Sequence, residues 1–173
     1  IAGTSGKSTT SAMLYQILLD ANYEPSIISG AGLTSIIKQG KIGNASVGKG
    51  DWLIIEADES DGSVVQYHPE IGVLLNIDKD HQEIDELIEL FTIFKNNSRS
   101  LFVVNQSNTL AKSLSANAEV DFGFKDKNAG YSVENFVQSG FQLHFTVLGQ
   151  NFEMNSIGQH SAENATAAIA VAH

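Results

Sequence analysis

The chain has no cysteine, which excludes disulfides, thiolate metal sites and cysteine nucleophiles and leaves only oxygen or imidazole to hold a metal. Such usage is consistent with a reducing compartment. Basic residues are scarce: 10 Lys and Arg stand against 20 Asp and Glu, for a formal charge of −10. They do not cluster, which argues against a nucleic-acid partner, because gripping a phosphate backbone takes grouped cations. No apolar run approaches the roughly 20 residues that span a bilayer, and the first residues lack the charged and apolar regions of a signal peptide. The expectation is a cytoplasmic protein with no membrane partner. Repeats, low-complexity tracts and linkers are missing too. At 173 residues, 42% hydrophobic and 17% charged, the composition suits one globular domain with a sizeable core.

What is present begins almost at once. Gly3, Thr4, Ser5, Gly6, Lys7, Ser8, Thr9 and Thr10 form a glycine-bracketed turn that delivers a lysine and hydroxyls to the start of a helix. Glycines at 3 and 6 permit positive φ and close approach to an anion, so successive N–H groups and the helix N-terminus can point at phosphate oxygens. Lys7 would then lie against the outer phosphates, and the Ser8 hydroxyl would be placed to ligate the Mg²⁺ that travels with ATP. The full phosphate-loop pattern has a further glycine where this chain has Ile1, so the match is the shortened form GxxGKS. The competing reading is an ordinary Gly/Ser turn capping a helix. Little room remains ahead of Gly3 for the strand that normally feeds such a loop, so a segment of a longer protein is expected.

Helical and extended patterns alternate beyond the loop. A helix is expected from Lys7 to about Asn22, with Met13, Leu14, Ile17, Leu18 and Ala21 on one face. Residues 26–50, rich in Gly, Ser and Ile, predict short strands and loops. The apolar runs 52–55, 72–75 and 101–104 suit strands buried on both faces of a parallel sheet. A helix over 84–97, with Leu87, Ile88, Phe91, Ile93 and Phe94 as its apolar stripe, makes a βαβ unit of the last two. The texture changes from Val120, and from Tyr131 through Phe145 to Met154 apolar residues alternate roughly with period two, Gly140 and Gly149 marking turns, which predicts a small antiparallel β-meander. Residues 161–172 close the chain as an Ala-rich helix. The fold class is therefore α/β: a mostly parallel, phosphate-loop-type sheet flanked by helices, with a small meander beside it.

Chemistry-bearing residues recur just after strands. Glu56, Asp58, Glu59, Ser60 and Asp61 follow residues 52–55, and Glu56 is the first choice for a Mg²⁺-linked carboxylate, because that is where an α/β protein places one. A solvated acidic loop is the plainer alternative. Asn76, Ile77, Asp78, Lys79, Asp80 and His81 follow the next strand; His81 would ligate a second metal or hold the attacking group, with Asp80 orienting its ring. Finally, His160 and Asn164 are four apart at the start of the last helix and would share a face able to reach a planar ligand such as adenine, unless they merely cap that helix.

In this order the motifs resemble the central ATP-binding domain of the Mur ligases, over essentially the whole chain. GTSGKSTT is similar to that family's phosphate loop, NIDKDH to its strand-end motif with a metal-binding histidine, and GQHSAENATAA to its adenine-contacting segment. EADESD and SGAGLTS look like the branch that includes the ligase adding L-alanine to UDP-N-acetylmuramate. Departures are Ser5 for the branch's histidine, Ser8 for threonine, Ser161 for asparagine, and Gln82 and Glu83 for a Met-Asp pair.

The resemblance implies ATP and Mg²⁺ as cofactors. Residues 3–9 and Lys7 in particular would hold the phosphates, Ser8 and Glu56 one Mg²⁺, His81 a second, and His160 with Asn164 the adenine. Lys7, Glu56 and His81 would be the catalytic set. It further implies UDP-N-acetylmuramate and an amino acid or peptide as partners in a ligase that forms an amide through an acyl phosphate, with flanking domains for both substrates. A ligase attaching a recycled tripeptide to the same nucleotide, and a noncatalytic nucleotide-binding module, are the alternatives.

Overall fold

The computed structural model describes residues 1–78 and 83–173. Lys79, Asp80, His81 and Gln82, and with them the metal-ligating expectation for His81, lie outside the described residues.

Helix α1 (Lys7–Asp20) leaves the glycine loop and ends before Asn22, whose φ of 62° breaks the helical path. It is followed by β1 (Ser26–Ile28), α2 (Thr34–Ile37), β2 (Ala45–Ser46) and β3 (Leu53–Ile55). A 3₁₀ turn (Ser63–Gln66) leads to β4 (Ile71–Leu74), α3 (Ile84–Asn97), β5 (Leu101–Val104) and α4 (Thr109–Lys112). The rest comprises β6 (Phe122–Phe124), β7 (Tyr131–Ser139), β8 (Gln142–Val147), β9 (Gln150–Asn155) and α5 (Gln159–Ala172). The sequence-based strands and α3 fall within a residue of these bounds, while α5 starts two residues before the expected Ser161.

β1 pairs in parallel with β3, and β4 with β5, the latter through the α3 crossover. Ile1 and Ala2 stitch the two pairs together. The Ile1 amine donates to Ile55 O at 2.7 Å and Ala57 N donates to Ile1 O at 2.8 Å. On the other side Ala2 N donates to Val73 O and Leu75 N to Ala2 O. A bridge between Asn105 and Phe122 carries the sheet on to β6, which runs parallel to β7. β7, β8 and β9 form the antiparallel meander expected over residues 131–154.

β4 and β5 are covered on both faces, which is why they read as continuous apolar runs. Leu74 and Val104 pack with Leu87, Phe91 and Phe94 of α3, while Val73, Leu75 and Val103 face Ala167 and Ala170 of α5. α1 joins α5 on that second face, Leu14 and Tyr15 meeting Ile27, Ile54 and Ala168. Ala162 of α5 also closes the meander's buried face of Val133, Leu143 and Phe145. The alanines of α5 let one helix sit on both the parallel sheet and the meander. This layering fixes the carboxyl ends of the parallel strands along one edge.

Candidate nucleotide-phosphate site

The glycine loop emerges from the Ile1–Ala2 strand stub with φ of 134° at Gly3 and 83° at Gly6, values that side chains disfavour. Gly6 is confined as well as twisted, since a Cβ there would lie 2.7 Å from Asn164 Oδ1. The loop thus delivers the N-terminus of α1, with its unpaired N–H groups and positive dipole end, to the sheet edge. Lys7 curls back over the loop, its Nζ donating to Gly3 O at 2.7 Å and to the Glu59 carboxylate at 2.9 and 3.2 Å.

Ser8 and Glu56, the residues expected to share a Mg²⁺, are brought together: Ser8 Oγ donates to Glu56 Oε1 at 2.9 Å. The other carboxylate oxygen accepts from Ser29 Oγ at 2.9 Å and from Gly30 N at 2.7 Å, both in the turn after β1. Glu56 is thereby fixed between two strand ends.

The acidic run divides by role. Glu56 and Glu59 turn inward to Ser8 and Lys7. Asp58 and Asp61 instead accept the N–H groups of Ser60 and Ser63 in local turns, at 3.0 and 2.8 Å. The Ser60 backbone bond holds the Asp58 carboxyl below its ordinary range, and the Ser63 side chain does the same for Asp61. Among the described residues no group of three or more His, Asp or Glu side chains is arranged to enclose a metal.

Asn76 clips the loop to the end of β4. Its Oδ1 accepts from Thr4 Oγ1 at 2.8 Å and Ser5 N at 2.9 Å, and its Nδ2 donates to Ser5 O at 3.1 Å. Asp78 N donates to Thr4 Oγ1 at 3.1 Å. One strand further, the Asn108 side chain caps α4 by accepting from Ala111 N at 2.9 Å, and its amide reaches Asp78 Oδ1 at 3.2 Å. Loops following the stub, β1, β3, β4 and β5 therefore converge, as ligand-binding loops of open parallel sheets do. Thr4 and Ser5 are held through this web, and Thr9 stands in the first turn of α1.

His160 and Asn164 lie one turn apart inside α5, which begins early enough to hold both. The His160 side chain is 93% exposed, its Nδ1 3.5 Å from the Glu163 carboxylate. Asn164 instead lies against Gly6, tying α5 to the phosphate loop. Sequence reasoning named Glu59 and Asn76 only within their motifs and gave no individual role to them or to Ser29 and Gly30. The SGAG turn after β1 and the asparagine opening NIDKDH were the signals available for the last three.

Glycine loop, lysine, hydroxyl and carboxylate meet at the sheet edge where such folds take their ligands; in class the molecule is an α/β domain of the phosphate-loop kind. The chain belongs to the Mur ligase middle domain family, whose model matches residues 1–172. It is 36% identical over 185 aligned positions to the UDP-N-acetylmuramate–L-alanine ligase of Acaryochloris marina (strain MBIC 11017), covering 99% of this chain and 37% of that protein. Among solved structures, the UDP-N-acetylmuramate–alanine ligase MurC of Thermotoga maritima superposes with a TM-score of 0.83 at 25% identity, over 98% of this chain and 39% of that one. The UDP-N-acetylmuramate:L-alanyl-gamma-D-glutamyl-meso-diaminopimelate ligase of Neisseria meningitides shares the fold, with a TM-score of 0.79 at 20% identity over 98% of this chain and 59% of that one. The chain thus spans little more than a third of the curated relative's length. No helix among the described residues is long and apolar enough to cross a membrane.

Proposed function

We propose that this chain is the ATP-binding segment of a longer amide-forming ligase of peptidoglycan precursor synthesis, one that joins L-alanine to UDP-N-acetylmuramate. The observation that carries the reading is the joint placement of Lys7, Ser8 and Glu56 on the glycine loop, with Ser8 Oγ 2.9 Å from Glu56 Oε1. Hard oxygen donors of this kind fit Mg²⁺, which keeps much of its shell from phosphates and water. Ser8 and Glu56 would hold that ion, which would neutralise charge on the transferring phosphoryl group. Lys7 and the N–H groups of residues 3–9 would bind and orient the phosphates, and His160 with Asn164 would hold adenine. His81 is proposed for a second metal on its motif alone.

In this reaction the terminal phosphoryl group of ATP passes to the muramate carboxylate, giving ADP and an acyl phosphate. The amino group of the incoming substrate then attacks the acyl carbon through a tetrahedral intermediate and expels phosphate. No protein nucleophile is required, which suits a site built from a lysine, a hydroxyl and carboxylates. Domains for the uridine nucleotide and the amino acid would lie in the rest of the longer protein, so this chain alone should form no amide.

The 36% identity to an alanine-adding enzyme favours L-alanine over the tripeptide accepted by the recycling ligase. The test is phosphate release by the ligase containing this segment, with Mg-ATP and UDP-N-acetylmuramate. Release that depends on L-alanine supports the reading; release that depends on L-Ala-γ-D-Glu-diaminopimelate replaces it with the recycling activity; no release with either overturns both.

A further inference from the structure

Glu59 is given no part in the ligase chemistry above, yet it is only 7% exposed. Its carboxylate takes Lys7 Nζ in bonds of 2.9 and 3.2 Å while Gly3 O takes another at 2.7 Å. Lys7 therefore already lies over the loop, its ammonium turned toward the space that the loop N–H groups and the α1 N-terminus bias toward an anion. An ammonium has three donors and no acceptor, and the anion that now meets them is a side chain of the protein.

Carboxylate and phosphate oxygens make the same charge-assisted bonds to a lysine. The Lys7 and Glu59 side chains are 14% and 9% exposed, and at such depth two anions sharing one cation repel with little screening. Resting on the phosphate-site reading, we infer that Glu59 competes with the terminal phosphate of the nucleotide for Lys7. The lysine exchanges one anion for the other as a triphosphate enters, and Glu59 recovers it once the terminal phosphoryl group has left. Glu59 thereby sets how tightly the site holds the terminal phosphate, weakening the triphosphate more than the diphosphate. The turns at Asp58 and Asp61 that bracket Glu59 rest on bonds to Ser60 and Ser63, while Glu56 is held separately by Ser8, Ser29 and Gly30.

The test is calorimetric titration of the chain and of Glu59→Gln with Mg-ATP and with Mg-ADP, each variant's fold being checked by thermal melting. Glutamine keeps the size and an acceptor oxygen for Lys7 but removes the charge. The expected result is about a tenfold gain in Mg-ATP affinity with less than a threefold gain for Mg-ADP. Equal gains, no gain, or weaker Mg-ATP binding overturn the exchange; weaker binding would make Glu59 a support for Lys7 or a metal ligand. Should Glu59→Gln not fold, Glu59→Asp withdraws the carboxylate by one methylene and should raise Mg-ATP affinity by a smaller factor, with no gain contradicting the inference. If the parent chain and the variant both fold and neither binds either nucleotide, the phosphate-site reading itself fails and takes this exchange with it.

Discussion

The two ends of the same parallel strands are built to opposite specifications. At the carboxyl end, side chains from loops far apart in sequence spend their polar atoms on one another: Glu56 on Ser8, Ser29 and Gly30, Asn76 on Thr4 and Ser5, Lys7 on Glu59. At the amino end a cavity of about 700 Å³ opens between β3 and β4, lined by apolar groups including Leu14, Leu18, Leu53, Ile71 and Val171. Strand alternation also directs the Leu53 and Ile71 carbonyls and the Ile55 and Val73 N–H groups into that gap, because their neighbours along β3 and β4 pair outward with β1 and β5. The polar end has the makings of a ligand site. The apolar end offers a pocket without comparable polar side-chain contacts.

The sharpest way to separate the ends is through the charge on Ile1. Burial pushes its α-amino group down from 8.0 to about 5. The unfolded chain then binds this proton more readily than the folded one between those values, so stability is lowest below pH 5, rises with pH between 5 and 8, and is level above. At about 1.36 kcal/mol per unit the span is roughly 4 kcal/mol. A version carrying apolar residues ahead of Ile1 places an uncharged amide there, so denaturant melts should show the pH 5 to 8 rise in the chain as it stands and lose it in the extended one.

A smaller effect is expected from Asn76→Ala at the polar end. It deletes three hydrogen bonds to Thr4 and Ser5, each worth about 1 kcal/mol net, and should lower the melting temperature by about 6–12 °C. Calorimetry should show Mg-ATP affinity falling with it, because the loop's N–H groups lose their alignment; unchanged affinity would mean the clip serves stability alone. The smallest effect belongs to neither end. Phe141, at the β7–β8 turn, is 80% exposed, and Phe141→Ser should change stability by less than about 0.5 kcal/mol and leave nucleotide binding unaltered, both read in the same experiments.

Much of this architecture is legible in the sequence because it is local. The apolar runs that become β3, β4 and β5, the stripe of α3 and the glycines at 3 and 6 each carry their signal within a few residues. The division of labour in EADESD is not local. Residues 56–62 follow no regular period, so nothing in their order distinguishes Glu59, which meets Lys7 across 52 positions, from Asp58, which bonds Ser60 two residues on. Asn76 reaches Thr4 across 72 positions and Ser29 reaches Glu56 across 27; only the folded sheet edge creates those pairs. β6 escaped for a related reason, since its three residues are too few to carry a period and its parallel partner is set by the fold.

The central claim is that the edge bearing Lys7 is a nucleotide-phosphate site, and titration of the folded chain and of its Lys7→Ala variant with Mg-ATP tests it most directly. The account predicts saturable one-to-one binding by the chain and at least about a hundredfold weaker binding by the variant, equivalent to roughly 3 kcal/mol. Equal affinity in the two proteins, or no binding by the folded chain, would contradict it.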